Sequence, residues 1–132
     1  MNTAEAARRW ADTWKRAWEA QDNDAIVALY HEETLFSTQP FRVAYLRQAG
    51  VREYVSQAFA EEEAVRVWVG SPIVEGDRAA IEWWAALVEN GVETTLAGTS
   101  VLRFDDDGLV VEQRDTWNQV DGRHEPPDNW GR

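Results

Sequence analysis

The sequence contains no cysteine. Disulfides, thiolate metal centres and cysteine nucleophiles are therefore excluded together. It has one lysine, Lys15, against twelve arginines. A phosphate-binding loop needs a Gly-Lys pair, and Lys15 follows Trp14. Schiff-base chemistry would have to use Lys15, which lies in a charged stretch of the first expected helix, a poor place for a desolvated amine. Positive charge is scarce overall: 13 basic residues face 24 acidic ones, for a net charge of -11. That balance argues against a nucleic-acid partner, because phosphate binding wants a basic face. No run reaches the roughly 18 apolar residues of a membrane span. Residues 1–9 are polar, unlike the apolar stretch of a signal peptide. The expectation is a cytoplasmic protein with no membrane partner.

Histidine is also sparse. His31 and His124 are too far apart to form a paired ligand spacing, so no metal site is expected. His31 reads as a surface or C-cap residue after the second helix, and His124 as a solvated tail residue. The aspartates at 105–107 read as a turn, since the glutamate that closes a calcium loop is missing. Ser100 lacks the Gly-x-Ser-x-Gly elbow of a serine hydrolase.

Tryptophan is what the chain has in excess, eight in 132 residues. The length suits one domain, residues 1–132, with no internal repeat and with 119–132 as a C-terminal tail. The first half reads helical and the second half as strands, which predicts an α+β fold. Helix one is expected over 3–20, with Asn2 and Glu5 as a capping box. Trp10, Trp14 and Trp18 fall at i, i+4 and i+8 and share one face, a stripe better explained by core packing than by a ligand box. Asp22 caps a short second helix whose apolar side is Ile26, Val27, Leu29 and Tyr30. A short strand is expected over 34–41. A third helix follows Gly50, with Val51, Tyr54, Val55, Ala58 and Phe59 on its inner stripe. The run Glu61-Glu62-Glu63 closes it and reads as a solvated surface.

Val65, Val67 and Val69 then alternate as a strand. Residues 77–89 and 92–104 form a hairpin around Asn90-Gly91, and the last strand covers 109–118. Strands this long must curl. The expected architecture is a cone-shaped, curved antiparallel sheet with three N-terminal helices packed on its concave face.

Three stretches carry a resemblance to a known group: Glu19 to Tyr30, Gly50-Val51-Arg52-Glu53-Tyr54-Val55, and the closing Arg114-Asp115-Thr116-Trp117. In this order and spacing the chain resembles the nuclear transport factor 2-like superfamily. That superfamily includes ketosteroid isomerases, limonene epoxide hydrolases and SnoaL-like polyketide cyclases. The resemblance covers about residues 5–118 and implies the cone fold. It is poor for function, because the fold hosts many activities. The isomerase machinery does not transfer. Its base position falls on Thr38, its oxyanion-hole tyrosine on Trp14 and its protonated aspartate on Ser100. Epoxide hydrolases resemble the chain at Arg114-Asp115. Their Arg-x-Asp on an earlier strand is met here by Trp83-Trp84-Ala85. The acid/base aspartate of the SnoaL-like cyclases is matched by Asp115, and that transfer survives.

Alternation sorts the faces if Asp115 points inward. Leu109, Val111, Gln113 and Trp117 then face in, and Val110, Glu112, Arg114 and Thr116 face out. Leu96, Gly98, Ser100, Leu102 and Phe104 face in on the preceding strand, as do Ile81, Trp83, Ala85 and Leu87 on the one before. The pocket walls are expected to be Trp14, Trp18, Tyr30, Phe59, Trp83, Leu87 and Trp117. Asp115, Gln113, Ser100, Thr38 and Tyr54 would be its polar contacts. That is the composition of a site for a hydrophobic small molecule. The outer face, with Trp84, Ala86 and Val88, is too apolar for water, and in this superfamily such a face often forms a homodimer interface. The tail, with Pro126-Pro127 and Trp130, is expected either to pack across the cone mouth, helping to close the pocket, or to dock on a partner subunit.

Two functions stay open. One is an enzyme that needs no cofactor, with Asp115 as general acid/base in an isomerisation, cyclisation, dehydration or hydrolysis. The other is a non-catalytic ligand-binding or dimeric interaction domain. The placement of Asp115 discriminates them. A carboxyl buried beside an open volume favours catalysis, and one salt-bridged to Arg103, Arg78 or Arg42 favours structure.

Overall fold

The computed structural model describes residues 1–132. Helix α1 runs Thr3–Ala20, α2 Asn23–Val27 and α3 Arg47–Glu61. The strands are β1 Tyr30–Ser37, β2 Tyr45–Leu46, β3 Glu62–Val69, β4 Ile73–Glu75, β5 Arg78–Glu89, β6 Val92–Phe104 and β7 Val110–Asp121. The α+β expectation holds, and β6 and the hairpin around Asn90-Gly91 fall where the sequence puts them.

Local chemistry sets the helix starts. The Asn2 side chain accepts from the Glu5 N–H while Glu5 reaches back to the Asn2 N–H, a reciprocal capping box. The Asp22 side chain accepts from the Ala25 N–H and starts α2. α2 is shorter than its apolar pattern suggests. Tyr30 opens β1, because the Leu29 carbonyl already accepts from Val110 N–H and draws the chain into the sheet. α3 starts three residues before Gly50. Tyr45 packs so closely that a Cβ at Gly50 would lie 3.3 Å from it.

One seven-stranded sheet runs in the order β2-β1-β7-β6-β5-β3, with β4 paired to β5. It is mixed, since β1 and β7 are parallel and every other pair is antiparallel. β5, β6 and β7 carry long continuous ladders that bring Ser100 opposite Asp115 and Gly98 between Trp83 and Trp117. The inner sheet face packs on α1 and α3 around one apolar core that includes Trp10, Tyr30, Phe36, Ile81, Leu87, Leu102 and Val110. No helix is long and apolar enough to cross a membrane.

Two bulges change which side chains face in. The β6–β7 register shifts between Arg103 and Phe104, which pairs with Val110. The extra residue reverses the alternation at the start of β7. Val110 is fully buried and Val111 is not, the opposite of the strict period-two expectation. A second shift lies between Glu63 and Arg66 of β3, where Ala64 takes a left-handed φ of 54°. It turns Glu62 inward, whereas the acidic run reads as solvated.

The tail does not cover the cone mouth. Trp130 packs edge-on against Trp84 with ring centroids 6.4 Å apart. Gly131 accepts from the Ser71 N–H at 2.7 Å and touches Gly70 backbone to backbone. The tail therefore lies on the outer side of the sheet. The sequence shows that Trp130 needs cover but not which face supplies it.

Candidate functional site

Five tryptophans face the interior of the cone, and each has its indole N–H pinned. Trp10 donates to Tyr30 and Gln113, Trp14 to the Tyr30 hydroxyl, Trp18 to Glu62, Trp83 to Ser100 and Trp117 to the Thr38 carbonyl. Trp10, Trp14, Trp18 and Trp83 form a ladder with successive centroids 6.0, 5.8 and 5.7 Å apart. A second series runs Tyr30, Phe36, Tyr54, Tyr45 at 5.8, 5.4 and 5.2 Å. Between them lies a cavity of about 60 Å³. Because their N–H groups are engaged, these indoles are held in place beside that cavity.

Asp115 lies at the cavity wall and is 8% exposed. Its Oδ1 accepts from Ser100 Oγ at 2.6 Å and from Gln113 Nε2 at 2.9 Å. Tryptophan indoles, which can only donate, set the direction of both bonds. Trp83 donates to Ser100 Oγ at 3.0 Å, so the hydroxyl proton is free to go to Asp115. Trp14 donates to Tyr30 at 3.0 Å, Tyr30 donates to Gln113 Oε1, and the Gln113 amide turns its NH₂ to Asp115. Oδ1 is thus committed as an acceptor. Oδ2 has no hydrogen bond and is not among the fully enclosed unpartnered atoms, so it meets the cavity. A proton bound by Asp115 therefore sits on Oδ2, facing the open volume.

No cation neutralises this carboxyl. Arg103 pairs with Asp77, Arg78 with Glu75, and Arg42 lies over the Trp117 ring at 5.5 Å. Burial pushes the Asp115 pKa from its ordinary 3.8 up to about 7, and the Ser100 and Gln113 bonds only partly oppose it. Burial likewise raises Tyr30 and Tyr54, so both phenols stay neutral.

Of the expected wall residues, Trp14, Trp18, Phe59, Trp83 and Trp117 line the cavity, as do Tyr54, Ser100, Gln113 and Asp115. Tyr30, Thr38 and Leu87 do not. Tyr30 sits one layer back and orients Gln113. Thr38 contributes its carbonyl to Trp117, and Leu87 is wholly buried in the core beyond the cavity. Trp10, expected only to pack, also reaches the wall.

Glu62 is the residue that the pattern of the sequence misses. It lines the cavity, and its Oε1 accepts from Trp18 Nε1 at 2.7 Å. Burial raises its pKa from 4.5 to about 7; the Trp18 bond opposes that, and the nearby carboxylates of Glu89 and Glu61 add to it. Only the bulge at Ala64 could have signalled it, and nothing in a Glu-Glu-Glu-Ala run announces a bulge.

The chain matches the SnoaL-like domain family over residues 7–113. Among solved structures it is similar to the epoxide hydrolase/cyclase-like enzyme SalBIII, which has a role in pyran ring formation in the polyether salinomycin. The identity is 18% over 86% of this chain and 91% of that one, with a TM-score of 0.75. It is similar to RV0760c from Mycobacterium tuberculosis, at 15% identity over 92% and 99% of the two chains and a TM-score of 0.78. A third likeness is a hypothetical protein with a ketosteroid isomerase-like fold from Catenulispora acidiphila DSM 44928, in complex with trimethylamine. There the identity is 16% over 79% of this chain and 81% of that one, with a TM-score of 0.70. No curated protein matches the chain. Identities this low speak of fold alone. The family match runs from α1 into β7 and takes in most of the cavity wall, and on it the chain belongs to the SnoaL-like domain family.

Proposed function

We propose that this protein is an enzyme that carries out acid/base chemistry on a small hydrophobic molecule, with Asp115 as the proton-transfer group. The supporting observation is a single one: Asp115 is buried at the cavity, free of any arginine, with one oxygen committed and the other open. A carboxyl whose pKa lies near 7 can take or give a proton at neutral pH with little thermodynamic bias. Rigid aromatic walls keep water away and hold the substrate's reacting atom against Oδ2. Tyr54, whose hydroxyl has no protein partner, is available to orient a polar substituent. The reaction class is isomerisation, cyclisation, dehydration or hydrolysis, and these residues need no cofactor to run it. One relative of the same fold holds a small molecule, trimethylamine, and another is cyclase-like. The competing reading, a non-catalytic binding or interaction domain, gives the proton affinity of a carboxyl poised near pH 7 no chemical use.

The outer sheet face carries exposed Val101 and Val120 and supports a homodimer through that face. The tail already covers Trp84, so the contact would centre on β6 and β7.

Proton abstraction can be tested without the natural substrate. Ring opening of 5-nitrobenzisoxazole reports a desolvated carboxylate base. The expected rate rises through pH 7 and is lost in Asp115→Asn. An equal rate in that folded variant would sink the reading.

A further inference from the structure

We infer that the cavity takes a hydrophobic organic cation, an alkylammonium group seated on the indole faces and neutralised by Asp115 and Glu62. The inference rests on the reading of this cavity as a ligand site and names the ligand's chemical class.

Geometry carries it. Two carboxyls, Glu62 from the edge strand β3 and Asp115 from the interior strand β7, line one small aromatic cavity, and neither is salt-bridged. The indole N–H groups of Trp14, Trp18, Trp83 and Trp117 are all taken by protein acceptors, so these rings offer the cavity aromatic surface and no free donor. Ring faces attract a cation through the aromatic quadrupole, most strongly where water is excluded. An anion would meet two carboxyls, and a neutral apolar ligand would leave both unmatched. Glu62 Oε1 is held by Trp18 while Oε2 has no partner, which repeats the one-committed, one-open arrangement of Asp115.

The charged groups that face Glu62 are carboxylates, and no charged group faces Asp115. Glu62 is faced by Glu89 across β5 and by Glu61 from α3, and Trp18 is its neighbour from α1. Asp115 is faced by the neutral Ser100, Gln113, Tyr30 and Tyr54. Two cations touch the wall from outside. Arg42 lies over Trp117, and Lys15 donates to the Val67 carbonyl while paired with Glu19. A bound ammonium would favour the ionised form of both carboxyls, so its affinity rises with pH through about 7.

The test compares choline with 3,3-dimethylbutan-1-ol, which has the same shape with a quaternary carbon in place of the charged nitrogen. Titration calorimetry on the full chain in 0.3 M salt screens the general surface charge. The expected result is choline bound about ten-fold more tightly than the alcohol at pH 8, with the advantage shrinking by pH 5.5. Glu62→Gln and Asp115→Asn should each reduce that preference. Equal or tighter binding of the alcohol at pH 8 overturns the cation assignment while leaving the cavity reading intact. So does a preference that survives in the Glu62→Gln/Asp115→Asn double variant. Binding of neither probe up to the solubility limit also overturns the assignment, and the benzisoxazole rate then decides the cavity reading separately.

Discussion

Asp115 is the residue on which the account turns, and its environment makes activity and stability oppose each other. Its folded pKa, about 7, lies above its ordinary 3.8, so the native state binds the proton more tightly than the unfolded chain. The resulting stabilisation is complete below about pH 4 and is lost as pH rises through about 7. Glu62 works in the same direction. Asparagine reproduces the protonated pattern, with its carbonyl at Oδ1 accepting from Ser100 and Gln113 and its NH₂ towards the cavity. Asp115→Asn is therefore expected to be more stable than wild type at pH 8, by a few kcal/mol at most. The difference should vanish near pH 4, and urea unfolding at the two pH values measures it. A gain in stability on removing a buried ionisable group is the signature of a residue kept for function. Ser100→Ala makes the opposite case. It orphans the buried Trp83 N–H and removes a donor to Oδ1, so it is expected to cost about 1–3 kcal/mol at pH 8 and to raise the Asp115 pKa further.

At the scale of elements, regular pattern was legible and local irregularity was not. The capping box of α1, the cap of α2, the Asn90-Gly91 hairpin and the inward set on β5 and β6 follow from spacing, because period and capping are local physics. Asp115 was placed inward by the resemblance to the SnoaL-like cyclases, and alternation from that anchor brought Gln113, Ser100, Trp83 and Trp117 to the cavity side, with Trp14 and Trp18 given by the helical stripe. Glu62 was hidden, because one extra residue near Ala64 reverses a strand's faces without any mark in composition. Leu87 was misplaced, because alternation gives a side chain's face but not its distance from the cavity. Tyr30 was read as wall, yet its place one layer back is set by hydrogen bonds to distant strands.

The β6–β7 junction gives a test at this scale. A Cβ at Gly98 would lie 2.5 Å from the Thr116 carbonyl oxygen and 2.6 Å from Trp117 Cβ. Gly98→Ala must push these strands apart beside the cavity, with an expected loss of about 1–3 kcal/mol in chemical denaturation and displacement of Trp117. The tail gives another. Truncation after Gly122 removes the Trp130–Trp84 contact and the Gly131–Ser71 bond on the outer face. It is expected to lower the melting temperature without changing ligand affinity in the cavity.

For the whole molecule, the charge of -11 and the eight tryptophans fall into separate roles. Five tryptophans with engaged N–H groups build the cavity. Trp68, Trp84 and Trp130 cover the outer side, Trp68 beneath Arg66 at 4.6 Å and the other two against each other. If two copies associate through the outer face, each brings the same net negative charge, and the repulsion is screened by salt. The proposed dimer is therefore expected to tighten from low salt to 0.5 M, as read by sedimentation equilibrium, and Val101→Glu should weaken it. A strongly acidic molecule also attracts cations to its surface, which suits a site holding two unpaired carboxyls.

The central claim is that Asp115 is an unpaired buried carboxyl poised to exchange a proton at neutral pH. Its most direct test is a ¹³C NMR titration of the Asp115 carboxyl carbon in the folded chain, with Asp115→Asn used to assign the resonance. The account predicts a midpoint near pH 7, raised further in Ser100→Ala. A midpoint at or below 4 would contradict it, since a carboxyl that stays ionised down to that pH is solvated or paired with a cation.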